Sequence, residues 1–153
     1  MNSTRQDNIE RDVRYRLDLQ AAIIELLPDA LIVVDGAGSI ILANQQTELM
    51  FGYHRSELIG QPVEMLLLPT QREVHAGHRL RFSAEPRTRM MGIGLRLRGQ
   101  RKNGIEVPIE IMLAPVVLVQ DTVTIAVIRR NERAEREAER LALATFQKPP
   151  VGT

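Results

Sequence analysis

Between Pro28 and Gly60 the chain reads PDALIVVDGAGSIILANQQTELMFGYHRSELIG, and no other stretch restricts its folding as much. Leu31-Ile32-Val33-Val34 is a short, mostly β-branched apolar run that stops at Asp35-Gly36, and Ser39-Ile40-Ile41-Leu42 resumes it after Gly38. Two such runs across an Asp-Gly and Gly-Ser reversal predict an antiparallel hairpin, because those residues supply positive φ or a side chain that satisfies the turn backbone. Apolar residues at successive positions place both strands centrally in a sheet, covered on at least one face. Asn44 ends the second strand and caps a short helix carrying Leu49, Met50 and Phe51, which stops at Gly52. Ser56 is the expected N-cap of a second short helix, Glu57-Leu58-Ile59, with Gly60 at its C′ position before Pro62.

Further on, Val63 to Leu68 is apolar and Pro69 starts a helix predicted over Gln71 to Phe82, where His75, His78 and Phe82 share a face beside Arg79. Residues 83–89 read as a polar loop. Ile93, Leu95 and Leu97 alternate with Gly94, Arg96 and Arg98, the pattern of a half-buried strand. Asn103-Gly104 is the strongest turn signal in the chain, and Ile105 to Ile111 alternates after it, with Pro108 marking an edge position or a bulge. Gln120-Asp121 turns Pro115-Val119 into a last strand, Val123 to Ile128. The expected strands are therefore near 30–35, 39–43, 92–100, 105–117 and 122–129.

Outside these strands the sequence changes character. Ile9, Val13, Leu17, Ala21, Ile24 and Leu27 recur at helical spacing up to Pro28, and this stripe must be buried on its own sheet or on a second copy of itself. The segment RRNERAEREAERLALATFQ is rich in helix formers and i,i+4 opposite charges, with a thin stripe of Ala134, Ala138, Leu141 and Thr145 before the tail KPPVGT. The expected organisation is a flanking amphipathic helix over 1–27, one domain over 28–129, and a charged helix and tail over 130–153.

The chemistry-bearing motifs are sparse. There is no G-x-S-x-G elbow, phosphate loop or H-E-x-x-H, and Gly92-Ile93-Gly94 opens a strand without the third glycine of a dinucleotide fingerprint. Glu106 and Glu110 lie four apart on the polar side of a strand, beyond direct contact. Arg96, Arg98, Arg101 and Lys102 form a basic hairpin without aromatic platforms, and a net charge of +1 gives no general pull towards nucleic acid or an anionic membrane. His75 and His78, with His54 the only other histidine, lack an obvious third ligand for zinc. Without cysteine there are no disulfides or thiolate sites, and no apolar run approaches the roughly 20 residues of a bilayer span. These features predict a non-enzymatic, cytoplasmic chain.

The order PDA-I-V-D-G-I-AN, then FGY and SELIGQP, resembles the front half of a PAS sensor domain, and RKNGIEVPIEIMLAPV resembles its back half. The resemblance runs from about Ala21 to Arg129 and is closest in pattern to PAS domains of bacterial-type sensor kinases, including the haem oxygen-sensor branch. It implies an α+β fold: a five-stranded antiparallel sheet in the order 2-1-5-4-3, with short helices on one face enclosing a small cavity. In a gapless comparison from Met65, His75 matches the proximal histidine that holds haem iron in the oxygen-sensing members. Leu95 stands where those sensors have an arginine, with Met90 and Met91 near in sequence. The absence of cysteine removes covalent flavin adducts, and an aromatic content of 3% leaves few stacking partners for a non-covalent flavin. The expected cavity lining is Ile32, Val34, Leu66, Ile93, Leu95, Ile111 and Ile125, with His75 at its edge. Two functional readings follow: a sensor of a small apolar ligand or of haem, and a ligand-free protein-interaction module. Either predicts a homodimer joined through Ile9, Val13, Leu17, Ala21 and Ile24, and an output domain or partner signalling protein. Where related domains commonly end their last strand with an Asp-Ile-Thr-like triplet, this chain has Arg130-Asn131-Glu132.

Overall fold

The hairpin forms, and one carboxylate holds its turn. In the computed structural model, which describes residues 2–73, 75–77, 89–91 and 97–147, β1 (Ala30–Val34) pairs antiparallel with β2 (Ile40–Ala43). Asp35 Oδ1 accepts from the backbone N–H groups of Ala37 (3.0 Å) and Ser39 (2.9 Å), and Gly38 takes a φ of 86°, which L side chains avoid. β1 also pairs with β6 (Thr122–Arg130), and β6 with β5 (Glu106–Val117). β3 (Arg89–Met91) and β4 (Arg98–Gln100) are successive segments on the free edge of β5. Taken together as the third strand of the sequence pattern, they give a wholly antiparallel sheet in the expected order 2-1-5-4-3, in which β1 is central but β2, contrary to its apolar run, lies at an edge. The third strand starts at Arg89 rather than at 92. Pairing of Arg89–Met91 with Leu113–Ile111 overrides a composition that reads as loop.

Strand alternation puts Ala30, Ile32, Val34, Val107, Ile109, Ile111, Ala126 and Ile128 on one buried face. That face is covered by α2 (Gln45–Phe51), α3 (Arg55–Leu58) and a 3₁₀ turn at Val63–Leu66, which contribute Phe51, Leu58 and Leu66 to the core. A β-carbon on Gly99 would lie 2.8 Å from the Phe51 ring, so the close packing of β4 against α2 requires glycine there. The N-cap of α3 is His54 rather than Ser56. The His54 ring accepts from Ser56 N–H at 3.2 Å, and Glu57 Oε2 accepts from His54 N–H at 2.8 Å, a capping box that needs the acid three residues after the cap. Pro108 lies neither at a sheet edge nor at a bulge. It ends the β5–β6 ladder, where Asn131 N–H donates to its carbonyl at 2.8 Å and proline has no N–H to return.

Two helices extend from the sheet at one end. The root of α1 (Asn2–Leu26) and that of α4 (Glu132–Phe146) are joined by the Arg129–Asp29 ion pair at 2.8 Å. Asn131 caps α4 by accepting from Ala134 N–H at 3.0 Å. Among the described residues no helix is long and apolar enough to cross a membrane.

The junction of α1 with the domain is polar. Asn44 is fully buried: its Nδ2 donates to the carbonyls of Ile24 and Asp29, both at 3.0 Å, and its Oδ1 accepts from the N–H groups of Leu31 (2.9 Å) and Thr47 (3.1 Å). Beside it, Arg55 Nη1 and Nη2 donate to Glu25 Oε1 (2.9 Å) and Oε2 (3.0 Å), while Arg55 Nε donates to Glu48 Oε1 at 2.9 Å. The Arg55 hydrogen bonds hold the Glu25 carboxyl below its usual range, against the opposing effect of burial. At Glu48 burial pushes the carboxyl up, but the bonds from Arg55 together outweigh it and leave the pKa lowered.

Replacing Asn44 by alanine leaves buried carbonyl and N–H groups unpaired and is expected to cost about 2–4 kcal/mol, read as a lower urea midpoint. An unchanged midpoint would show that water or relaxation replaces those bonds. The Glu25 and Glu48 pKa values are depressed in the folded state. Their stabilisation is therefore present above the ordinary value of 4.5 and is lost as pH falls through the folded values. The urea midpoint should drop more steeply as pH falls below 4.5 in the wild type than in Arg55→Met. Parallel curves for the two proteins would contradict this assignment.

Candidate functional site

The expected pocket residues divide by sheet face. Ile32, Val34, Leu66 and Ile111 are buried on the covered face, packed with Phe51 and Leu58. Ile125 does not join them: it pairs opposite Val33 and Ala114 on the other face, one step out of phase with Ala126 and Ile128. The run Val123 to Ile128 is apolar at almost every position, so its alternation has no phase until the pairing with β1 fixes one. Ile93 and Leu95 lie outside the described residues, as do His78, Phe82, Gly92, Gly94 and Arg96.

His75 lies on a helical segment, with its side chain about one quarter exposed. Its Nδ1 is 3.2 Å from Oε1 of Glu64, a buried acid on the 3₁₀ turn that also interacts elsewhere. An imidazole whose Nδ1–H is donated to a carboxylate carries its lone pair on Nε2, the arrangement in which histidine ligates a metal. Glu64 was legible only as the single acid within the apolar run Val63 to Leu68. Among the described residues, no group of three or more His, Asp or Glu gathers to hold a metal ion.

The basic hairpin is occupied with its own domain. Arg98 pairs with Glu106 at 3.1 Å, Lys102 pairs with Glu57, and Lys102 N–H donates to the Phe51 carbonyl at 2.8 Å. Lys102 and Arg101, whose Nη2 lies 3.4 Å from the Leu49 carbonyl, thus serve the C-terminal end of α2. The Lys102 hydrogen bond lowers the Glu57 pKa.

The expected dimer residues lie along α1. Ile9, Val13 and Leu17 are 58%, 50% and 60% exposed, Ala21 is exposed and Ile24 is half-buried, so the domain leaves most of this stripe uncovered. A second apolar stripe, Tyr15, Leu19, Ile23 and Leu26, is exposed as well. Its spacing of four, four and three was available in the sequence. Two faces of α1, rather than one, are therefore open to a partner surface. The residues that tie α1 down, Glu25, Glu48 and Arg55, carried no local pattern because Arg55 meets Glu25 across thirty positions of sequence.

Comparison with known proteins agrees with this architecture. The PAS fold family matches residues 19–130. Over 108 residues the chain is 31% identical to the sensor protein FixL of Bradyrhizobium diazoefficiens, covering 71% of this chain and 21% of that protein. Over 65 residues it is 37% identical to the signal transduction histidine-protein kinase AtoS of Escherichia coli, covering 42% and 11%. The chain thus spans about a fifth or less of the length of these relatives. The PAS domain of an HTR-like protein from Haloarcula marismortui superposes with a TM-score of 0.64 at 22% identity, over 83% of this chain and 98% of that one. The PAS domain of a Colwellia psychrerythraea protein gives a TM-score of 0.62 at 26% identity, over 74% and 95%. With its sheet order, its covering helices and a family match that runs from the end of α1 to the end of β6, this chain belongs to the PAS family.

Proposed function

We propose that the chain is the sensory module of a sensor-kinase type of signalling protein, non-catalytic in itself. In this reading it works as a homodimer joined through α1 with α4 beside it, and takes a small apolar ligand against the covered face of the sheet. The observation that carries the reading is the attachment of a PAS domain, similar to those of two sensor proteins, to a helix with two uncovered apolar stripes. Covering Ile9, Val13 and Leu17 recovers on the order of 1 kcal/mol each, since about half of each side chain is already out of water. Two copies contribute six such side chains, which offsets an association cost of about 4–15 kcal/mol only in the lower part of that range. A dimer in the micromolar range is the consequence. α4 starts from the same end of the sheet, which suits it to pass the state of the domain to an output partner. Arg130-Asn131-Glu132 makes that connection through the Asn131 cap and the Pro108 carbonyl instead of an Asp-Ile-Thr-like triplet.

A second reading is favoured by one specific observation, the Glu64–His75 pair. With Nδ1 turned to Glu64, His75 would hold a haem iron through Nε2. Haem, when bound, would supply an iron whose affinity for a gas or whose redox state is the sensed quantity. The chain's own contribution is to hold the imidazole in one tautomer and to exclude water with Ile32, Val34, Leu66 and Ile111.

Two measurements test these readings. The intact chain should sediment as a dimer at micromolar concentration, and a chain beginning at Pro28 as a monomer. Two monomers would return α1 to the role of a covering helix. An absorption spectrum of the protein as purified and after haem addition separates the ligands: a sharp Soret band that His75→Ala abolishes selects haem, and a featureless spectrum removes it.

A further inference from the structure

The junction between α1 and the domain joins an outward-reaching helix to the part of the core filled by Phe51 and Leu58. Glu25 is in the last turn of α1, and its carboxylate receives both terminal nitrogens of Arg55 as well as the Gln45 N–H at 3.2 Å. The same guanidinium bonds Glu48 in the middle of α2, and the Arg55 N–H donates to Glu48 Oε2 at 3.2 Å. Three segments, α1, α2 and α3, therefore meet on one planar cation, whose rigid fork fixes their relative orientation. Four residues before Arg55 stands Phe51, which is fully buried with its ring against Gly99. Three residues after it stands Leu58, also fully buried. The cation that holds α1 is thus mounted between two side chains that fill the covered face of the sheet.

We propose that Arg55 is a latch through which displacement of Phe51 and Leu58 is converted into a change in the direction of α1. The lever is long: 25 residues of helix extend roughly 37 Å, so a rotation of about 10° at the latch moves the far end by about 6 Å. Apolar packing does not fix that direction, because α1 is exposed from Ser3 to Ile23. Asn44 holds the Ile24 carbonyl and acts as the pivot, and the Glu25–Arg55–Glu48 contact, one residue further along, sets the angle. The proposal rests on the sensory reading for the meaning of the movement, whereas the movement itself is a property of one chain.

The chain has no cysteine, so two can be introduced and spin-labelled without background. The labelled chain carries Arg11→Cys on α1 and Gln120→Cys at the β5–β6 turn, and is diluted with unlabelled chain so that only distances within one molecule are read. Pulsed electron resonance should give a narrow distance distribution in the presence of Arg55. Arg55→Met should about double its width, and Arg55→Lys, which keeps the charge and loses the fork, should broaden it nearly as much. Gly99→Ala, which drives a methyl group into the Phe51 ring, should shift the mean distance by about 3 Å with Arg55 present and by less than about 1 Å in Arg55→Met. If Gly99→Ala fails to fold, Phe51→Leu perturbs the same contact with a smaller side chain. An unchanged width in folded Arg55→Met, or a core-induced shift of equal size with and without Arg55, overturns the proposal. Sedimentation and absorption can fail independently of these distances, so a monomeric protein would count against the dimeric sensory reading and a colourless one against haem alone, and both would leave the latch standing.

Discussion

The end of α1 and the start of α2 are both positioned from Asn44. Its amide is the one side chain at that point that donates twice and accepts twice, to the end of α1, the start of β1 and the first turn of α2. An aspartate would lose the two donors and face the Ile24 and Asp29 carbonyls with like charge, while a serine would cap α2 but reach neither carbonyl. Full burial makes the constraint strict, because in a low-dielectric site a missing partner costs more than a made bond gains. Asn44 also ends β2, so the register of the hairpin and the departure of α1 are settled at one residue.

The sheet itself is apolar on both faces, and that imbalance shapes the rest. Helices α2 and α3 and the 3₁₀ turn cover the face that carries Ile32 and Ile109. The other face presents Val33, Leu42, Ala114, Ile125 and Val127, all half-buried, and Met112, which is exposed. An antiparallel sheet that met water on this side would alternate with polar residues, and this one does so at Glu110 and Arg129, where the flanking helices depart, and at Arg98, Gln100 and Glu106. An uncovered apolar sheet face and a helix with two uncovered apolar stripes, held in one chain, are complementary needs.

The sequence carried the fold in its turn residues. Asp35, Gly38, Asn103 and Gly104 are of types that few conformations accommodate, and each stands where a reversal is found, so the two hairpins followed from local chemistry, whereas the strand order came from the PAS resemblance. Phase and partnership were less legible. Ile125 sits in a run without alternation, and only hydrogen bonding to β1 decides which way it faces. His54 displaced Ser56 as the cap of α3 because Glu57 reaches back from three residues ahead, a reciprocal contact that a list of good cap residues does not contain. The partners of Arg55 and Glu64 were not legible for a different reason. An isolated charge in a sequence reads as surface, and its meaning arises from a partner brought near by folding, Glu25 in one case and His75 in the other.

Energetics also explain why a charged contact, rather than an apolar one, suits the root of α1. The Arg55 side chain is 42% exposed and that of Glu25 37%, so the pair is screened and contributes on the order of 1 kcal/mol or less to stability. A buried aliphatic contact in the same place would be worth two or three times as much and would tolerate small shifts by sliding. The forked ion pair has the opposite character: it is cheap to break and intolerant of angle. A ligand needs a differential affinity of only about 1.4 kcal/mol to move such an equilibrium tenfold. Asn44 bears the stability of the junction and Arg55 its direction, so the direction of α1 can change while the domain stays folded.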